Sequence, residues 1–198
     1  MAARRHPEPA GSLSRMQEID LVEVLRDRFP EDVGVAGELW TRPGVAALVA
    51  RRYGLNLGAA TVGRLLRSWG VTPGSPVERA CPLCAAAVTR WTAETYPDVQ
   101  QAATAVDADV HWVGRTRLRG VSPSAEVLSA VSARGGVRFV IASITGAPAE
   151  FGREFLLRLG GGQPGAHVVV DGSWPTAEWP RRLPRQLVTH ALPSCDRG

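Results

Sequence analysis

WTRPGVAALVARRYGLNLGAATVGRLLRSWG, residues 40–70, decides how this chain is read. Thr41 offers the side-chain oxygen of a helix N-cap, and Pro43 follows in the first turn, where its missing N–H costs little. Val45, Leu48, Val49 and Tyr53 recur at helical spacing, and Gly54 suits a left-handed helix end. After a short turn over 55–58, a second helix is expected over 59–69, with Val62, Leu65, Leu66 and Trp69 inward and Gly70 as its stop. Two short helices joined by a glycine-containing turn form the helix-turn-helix pattern. The second helix of that pattern lies in the major groove of double-stranded DNA, led by its N-terminal residues. Arginine there grips phosphate or reads guanine, and threonine touches a base edge or a thymine methyl. The candidate DNA-binding residues are therefore Arg42, Arg51, Arg52, Ala60, Thr61, Arg64, Arg67 and Ser68. A plain helical hairpin with a solvated arginine face would show the same pattern.

Charge sharpens the reading on the N-terminal side. Residues 40–77 carry five arginines and no acid, whereas Glu18, Asp20, Glu23, Asp27, Glu31, Asp32 and Glu38 crowd the segment before. Ser14 can cap a helix over 15–29, with Met16, Ile19, Val22 and Leu25 or Phe29 as its apolar stripe and Pro30 as its stop. Residues 1–14 read as a disordered leader, with no apolar stretch of a secretory signal. The net charge of +4 permits a nucleic-acid partner without demonstrating one. No apolar run is long enough to span a membrane, so no membrane partner is expected.

On the C-terminal side, residues 71–78 are a Pro/Gly/Ser linker. A helix is expected over 77–95, carrying Ala80, Leu83, Cys84, Val88 and Trp91, and Pro97 starts a short turn to Val106. Strands follow over 110–113, 126–131 and 137–144, the last two joined by a turn at ARGG, 133–136. A helix over 148–159 is stopped by Gly160–Gly162, and strands over 167–170 and 186–191 complete a mixed sheet.

Together these residues resemble the bacterial mariner-like insertion-sequence transposases. The likeness rests on residues 40–70, then on the helix over 77–95, the strand over 110–113, VLSAVSARGGVRFVIASITGAPAEFGREFLLRL (127–159), HVVVDG (167–172) and LVTHALPS (187–194). It implies an α+β chain: an N-terminal all-α winged helix-turn-helix followed by a ribonuclease-H-like mixed α/β domain. The expected divisions are a leader over 1–14, a DNA-binding domain over 15–75, connecting helices over 76–106 and a degenerate ribonuclease-H-like domain over 107–198. The family cuts DNA with three carboxylates and two divalent metal ions, which need several acids converging on sites about 3.5–4 Å apart. Here the first acid is replaced by Gly114, with Arg115 beside it; the second matches Asp171; the segment expected to hold the third is absent. The loop over 115–124 also looks shortened. Asp109 lies five residues before Gly114, about 16 Å along a strand and on the opposite face. Glu126 and Glu150 match no ligand position, and Asp196 has no helix beneath it. No catalytic residue, metal or cofactor is therefore expected.

Other constellations carry less. Cys81 and Cys84 have metal or redox spacing, but four ligands for zinc are lacking, so packing or free thiols are expected. Three cysteines, an odd number, fit a reducing cytoplasm better than a disulfide scaffold. The glycines near 160–165 lack the GK[ST] of a phosphate loop. His111 and His190 read as packed strand residues, and Trp112, Trp174 and Trp179 as core or loop residues. The expected function is a transposase-derived, sequence-specific DNA-binding protein that does not cleave. It would be a cytoplasmic, nucleoid-associated transcriptional regulator, working as the homodimer that the resemblance implies. The alternatives are a metal-dependent DDE transposase or nuclease, and a protein-interaction module.

Overall fold

A computed structural model describes residues 12–71, 83–120, 124–144, 148–161, 165–170 and 187–193. Three helices come first: α1 (Arg15–Leu25), α2 (Arg42–Tyr53) and α3 (Ala59–Trp69), with a 3-10 turn at Pro30–Val33 between the first two. A two-residue strand, β1 (Trp40–Thr41), leads into α2. Two further helices, α4 (Ala85–Glu94) and α5 (Tyr96–Ala105), lead to a meander of β2 (Asp109–Arg117), β3 (Ala125–Ser132) and β4 (Val137–Ser143). Helix α6 (Pro148–Gly161) crosses over to β5 (Ala166–Val170), and β6 (Leu187–Ala191) closes the described chain.

These strands form one sheet in the order β1-β4-β3-β2-β5-β6. The meander is antiparallel, with Gly114 opposite Ser129 and Ser129 opposite Phe139. Strand β5 runs parallel to β2, Trp112 opposite Val169, and β6 runs parallel to β5. The winding α6 crossover is what allows β5 to return parallel beside β2. The expected turn at 133–136 forms, with Gly135 at φ +79 and the Ser132 N–H donating to Gly136 O at 2.8 Å.

One face of the sheet packs on α6 through Val113, Leu128, Ala130, Val140 and Val168 against Phe155, Leu156 and Leu159. The opposite face is shared. Its β3–β4 half, with Val127, Val137, Phe139 and Ile141, makes a single core with α1, α2 and α3. Its β2–β5 half, with Val110 and Val169, packs on Cys84, Val88, Val99 and Ala103. Helices α1, α2 and α3 thus stand directly on the sheet, and β1 adds Trp40↔Phe139 and Thr41↔Arg138 as backbone pairs.

Several expectations need correction. The first helix ends at Leu25, not at 29, because Arg26 leaves the helix and bridges to Ile141 in parallel fashion. Asp27 follows at φ +53, and its carboxylate accepts from both the backbone N–H and the hydroxyl of Ser143. Its buried stripe is Leu21, Val22 and Leu25; Met16 is 73% exposed. Phe29 turns to the other side of the sheet and stacks on Phe151 at 5.0 Å. The helix expected over 77–95 occupies 85–94 among the described residues, Leu83 is exposed, and residues 72–82 lie outside them. The turn expected at Pro97 is the ten-residue helix α5, since proline is tolerated in a first helical turn. The shortened loop begins later than 115, because β2 runs on to Arg117. Gly160 does not stop α6, which continues to Gly161. A Cβ at Gly160 would sit 2.7 Å from the Leu187 Cβ, so glycine there serves close approach of helix and strand. Cys84 is disulfide-bonded, not a free or merely packed thiol.

Candidate nucleic-acid interface

Helix α2 begins where the sequence places it. The Thr41 hydroxyl accepts from the Gly44 N–H at 3.1 Å, and Gly54 ends the helix at φ +67. The turn buries Leu57, and α3 then buries Val62, Leu65, Leu66 and Trp69. Burying each of these side chains is worth roughly 1.5–3 kcal/mol, enough to fix which arc of α3 faces solvent. That arc holds Ala59, Ala60, Arg64, Arg67 and Ser68. Thr61 is half-buried, its hydroxyl accepting from Arg64 at 3.0 Å. The Ser68 hydroxyl donates to Leu65 O at 2.7 Å.

Arg42, at the start of α2, approaches the same helix. A Cβ at buried Gly63 would meet Arg67 Nη1 at 3.7 Å and Arg42 Nε at 3.9 Å. Two guanidinium groups thus flank one helix position, and the Arg42 Nε is buried without a hydrogen-bond partner. Like charges so arranged favour an anion nearby. Beside the arc runs a groove of about 370 Å³ lined by Ser12, Leu13, Glu18, Leu57, Thr61, Arg64, Leu65 and Ser68.

The other two candidate arginines are exposed but already engaged by the protein itself. Arg51 donates to Gly34 O at 2.9 Å and to Val33 O, holding the 3-10 turn against α2. Arg52 makes a bidentate pair with Asp20 of α1 at 2.7 and 2.8 Å, and the Tyr53 hydroxyl donates to the same carboxylate at 2.5 Å. The Arg52 and Tyr53 hydrogen bonds hold the Asp20 carboxyl down at about 2. Burial, then the Asp20 hydrogen bond, pushes Tyr53 up to about 12. Arg42 and Arg67 are therefore brought together at Gly63, Arg64 stands on the same exposed arc of α3, and Arg51 and Arg52 are held elsewhere.

Residues 36–95 match a family model described as a winged helix-turn helix. The chain carries a winged helix-turn-helix domain, and α2 and α3 are its paired helices. No curated protein and no solved structure matches the chain.

Several of the positions weighed for metal chemistry from the family resemblance lie in the sheet. Gly114 is buried in β2, opposite Ser129, whose buried hydroxyl has no hydrogen-bond partner. Arg115 donates from Nε to Glu126 at 2.6 Å, so that carboxylate is already neutralised. Asp109 lies 3.6 Å from Arg134. Asp171, Trp174, Trp179 and Asp196 lie outside the described residues. Glu150 is exposed at the start of α6. Among the described residues no three His, Cys, Asp or Glu side chains gather as a metal site. A two-metal centre needs converging carboxylates, and a glycine followed by an ion-paired arginine does not fit one.

His111 is buried, and desolvation lowers its pKa to about 4. His167 and His190 stack, with Nδ1 and Nε2 3.1 Å apart, and burial lowers both. Trp112 packs among Trp91 and Tyr96 at 6.2 and 4.8 Å. Among the described residues, no helix is long and apolar enough to cross a membrane.

Proposed function

We propose that this protein is a sequence-specific binder of double-stranded DNA, derived from a transposase, that regulates transcription and does not cut. The observation that carries the reading is the solvent-facing arc of α3, on which Arg64 and Arg67 stand with Arg42 beside them, within a segment matching winged helix-turn-helix domains. Phosphate contacts from those arginines supply salt-dependent affinity, and Arg64 with Thr61 reads base edges. Residues 15–75 form the reader, 76–106 the connection and 107–198 the platform. A homodimer acting at the nucleoid in the cytoplasm spans two half-sites, as helix-turn-helix readers do.

The ribonuclease-H-like reading of the platform is supported by the pairing of β2 with β5. Carboxylates closing a first and a later strand converge only if those strands are parallel neighbours, and these two are. The loss of cutting is supported by Gly114 and by the Arg115–Glu126 pair at that end of β2.

The test is titration of the protein against a genomic fragment library at two salt concentrations, with and without Mg²⁺ or Mn²⁺, followed by a nicking gel. Salt-sensitive enrichment of particular fragments, with the DNA left intact, is expected. Metal-dependent nicking that disappears in Asp171→Ala would overturn the non-cutting reading. Salt-insensitive association would leave the arginines as solvated surface.

A further inference from the structure

We infer that Arg119, two residues past the end of β2, is a second DNA contact and binds a backbone phosphate at the far end of α3. This rests on the DNA-binding reading above and adds a contact outside the matched residues 36–95.

The end of β2 and the residues just after it are fastened to the last residues of α3. The Arg119 N–H donates to Trp69 O at 3.0 Å, and the Thr116 hydroxyl donates to Gly70 O at 2.9 Å. Gly70, at φ +82, admits the approach: a Cβ there would meet Arg119 Nε at 3.5 Å and Arg117 O at 3.6 Å. From the other side, Arg15 at the start of α1 donates to Gly120 O. Arg119 is exposed, and among the described residues no carboxylate pairs with it. Arg15 is also exposed and has Glu18 at 3.6 Å.

The dimensions place this corner at a phosphate strand. Helix α3 has 11 residues and is about 16 Å long, whereas the major groove is about 12 Å wide. A reading helix enters by its N-terminal residues, so its last turn reaches the groove rim, where the backbone passes. A bare helix C-terminus carries partial negative charge and would repel that backbone. Here the Trp69 and Gly70 carbonyls accept from the Arg119 N–H and the Thr116 hydroxyl, and the Arg119 side chain lies beside Gly70. Arg117 supplies an internal control. It shares the β2 face of Arg115, towards α6 and away from α3, while carrying the same charge two residues away.

The experiment compares Arg119→Ala, Arg119→Lys, Arg117→Ala and Arg64→Ala with the unaltered chain. DNA affinity is measured from 0.1 to 1 M salt, on an enriched fragment and on unrelated DNA. Circular dichroism and urea unfolding check each fold. One lost phosphate contact lowers the slope of log K against log salt by about 0.9, or about 8-fold in affinity at 0.1 M relative to 1 M. Arg119→Ala is expected to show that loss equally on both DNAs. Arg119→Lys keeps most of the affinity, because phosphate accepts a point charge, and Arg117→Ala stays within about 2-fold on the same salt scale. An Arg119→Ala protein whose unfolding shifts while its salt slope stays unchanged would make Arg119 only a helix-end partner and overturn the inference, even with Arg64→Ala impaired. If the unaltered chain binds no DNA, the functional reading falls and this contact falls with it.

Discussion

Arg52 and Arg64 have the same charge and lie on neighbouring helices, yet replacing each with alanine should damage different properties. Arg52 holds Asp20 through two hydrogen bonds, with both side chains 43% exposed. Exposed ion pairs contribute about 0.2–1 kcal/mol, and the bidentate geometry puts this one near the top of that range. Arg52→Ala should therefore lower unfolding free energy by about 1 kcal/mol at pH 7. The Asp20 carboxyl is held at about 2 against an ordinary value near 3.8. Its contribution is present above the unfolded value and is lost as pH falls through about 2, so the difference between the proteins should shrink on acidification. DNA affinity should stay within about 2-fold, since the guanidinium is already occupied by the protein. Arg64→Ala should do the reverse: unchanged stability, and a loss of about 1–3 kcal/mol in binding if it reads a base. Urea unfolding at pH 7 and pH 3, beside a DNA titration, measures all four quantities. A tenfold loss of DNA affinity in Arg52→Ala, with its unfolding curve unmoved, would refute the separation of scaffold from reader.

Further outcomes follow from other sites. Burial holds His111 neutral with its pKa near 4, and its Nδ1 has no hydrogen-bond partner. A lowered histidine pKa gives stability that is full above about 6.5 and is lost as pH falls towards 4, up to about 3 kcal/mol. Thermal unfolding of His111→Leu between pH 7 and pH 4 should show a flatter profile, and an unchanged slope would rule His111 out as its source. Gly160→Ala gains about 1 kcal/mol in helix propensity but forces a contact with Leu187, and overpacking costs about 1–3 kcal/mol. Urea unfolding should register a net loss, and a stabilised variant would mean that α6 and β6 separate easily. Glu18 lines the groove beside Arg64, so Glu18→Gln should strengthen DNA binding a few-fold at low salt. Weaker binding would place that groove away from the DNA.

Local signals made α2 and α3 legible. Thr41, Pro43, Gly54 and Gly70 mark their ends by chemistry that acts within a turn, and Val62, Leu65, Leu66 and Trp69 mark the buried side by period. The same period exposed Arg64 and Arg67. What escaped depended on partners distant in the chain. The first helix stops at Leu25 because Asp27 binds Ser143, 116 residues away. Strand β1 is two residues long and shows no alternation; only Phe139 and Arg138 make it a strand. Arg51 and Arg52 look like Arg64 in sequence, and only the carbonyls of Val33 and Gly34 and the carboxylate of Asp20 distinguish them. Arg119 carried no signal, since its place beside Gly70 depends on how the end of β2 meets α3. Pro97 misled for a different reason: proline breaks helices from within but starts them well.

Thr41 is both the last residue of β1 and the cap of α2. The helix that braces α3 therefore starts at a residue held in the sheet, and α1, α2 and α3 share their apolar contacts with Phe139, Val127 and Ile141. Helices α1, α2 and α3 and strands β3 and β4 are joined through one apolar core. In amide hydrogen exchange, α3 should be released together with β3 and β4, as one cooperative unit, and not by an independent opening. A force applied to α3 would accordingly pass through that shared core to β3 and β4.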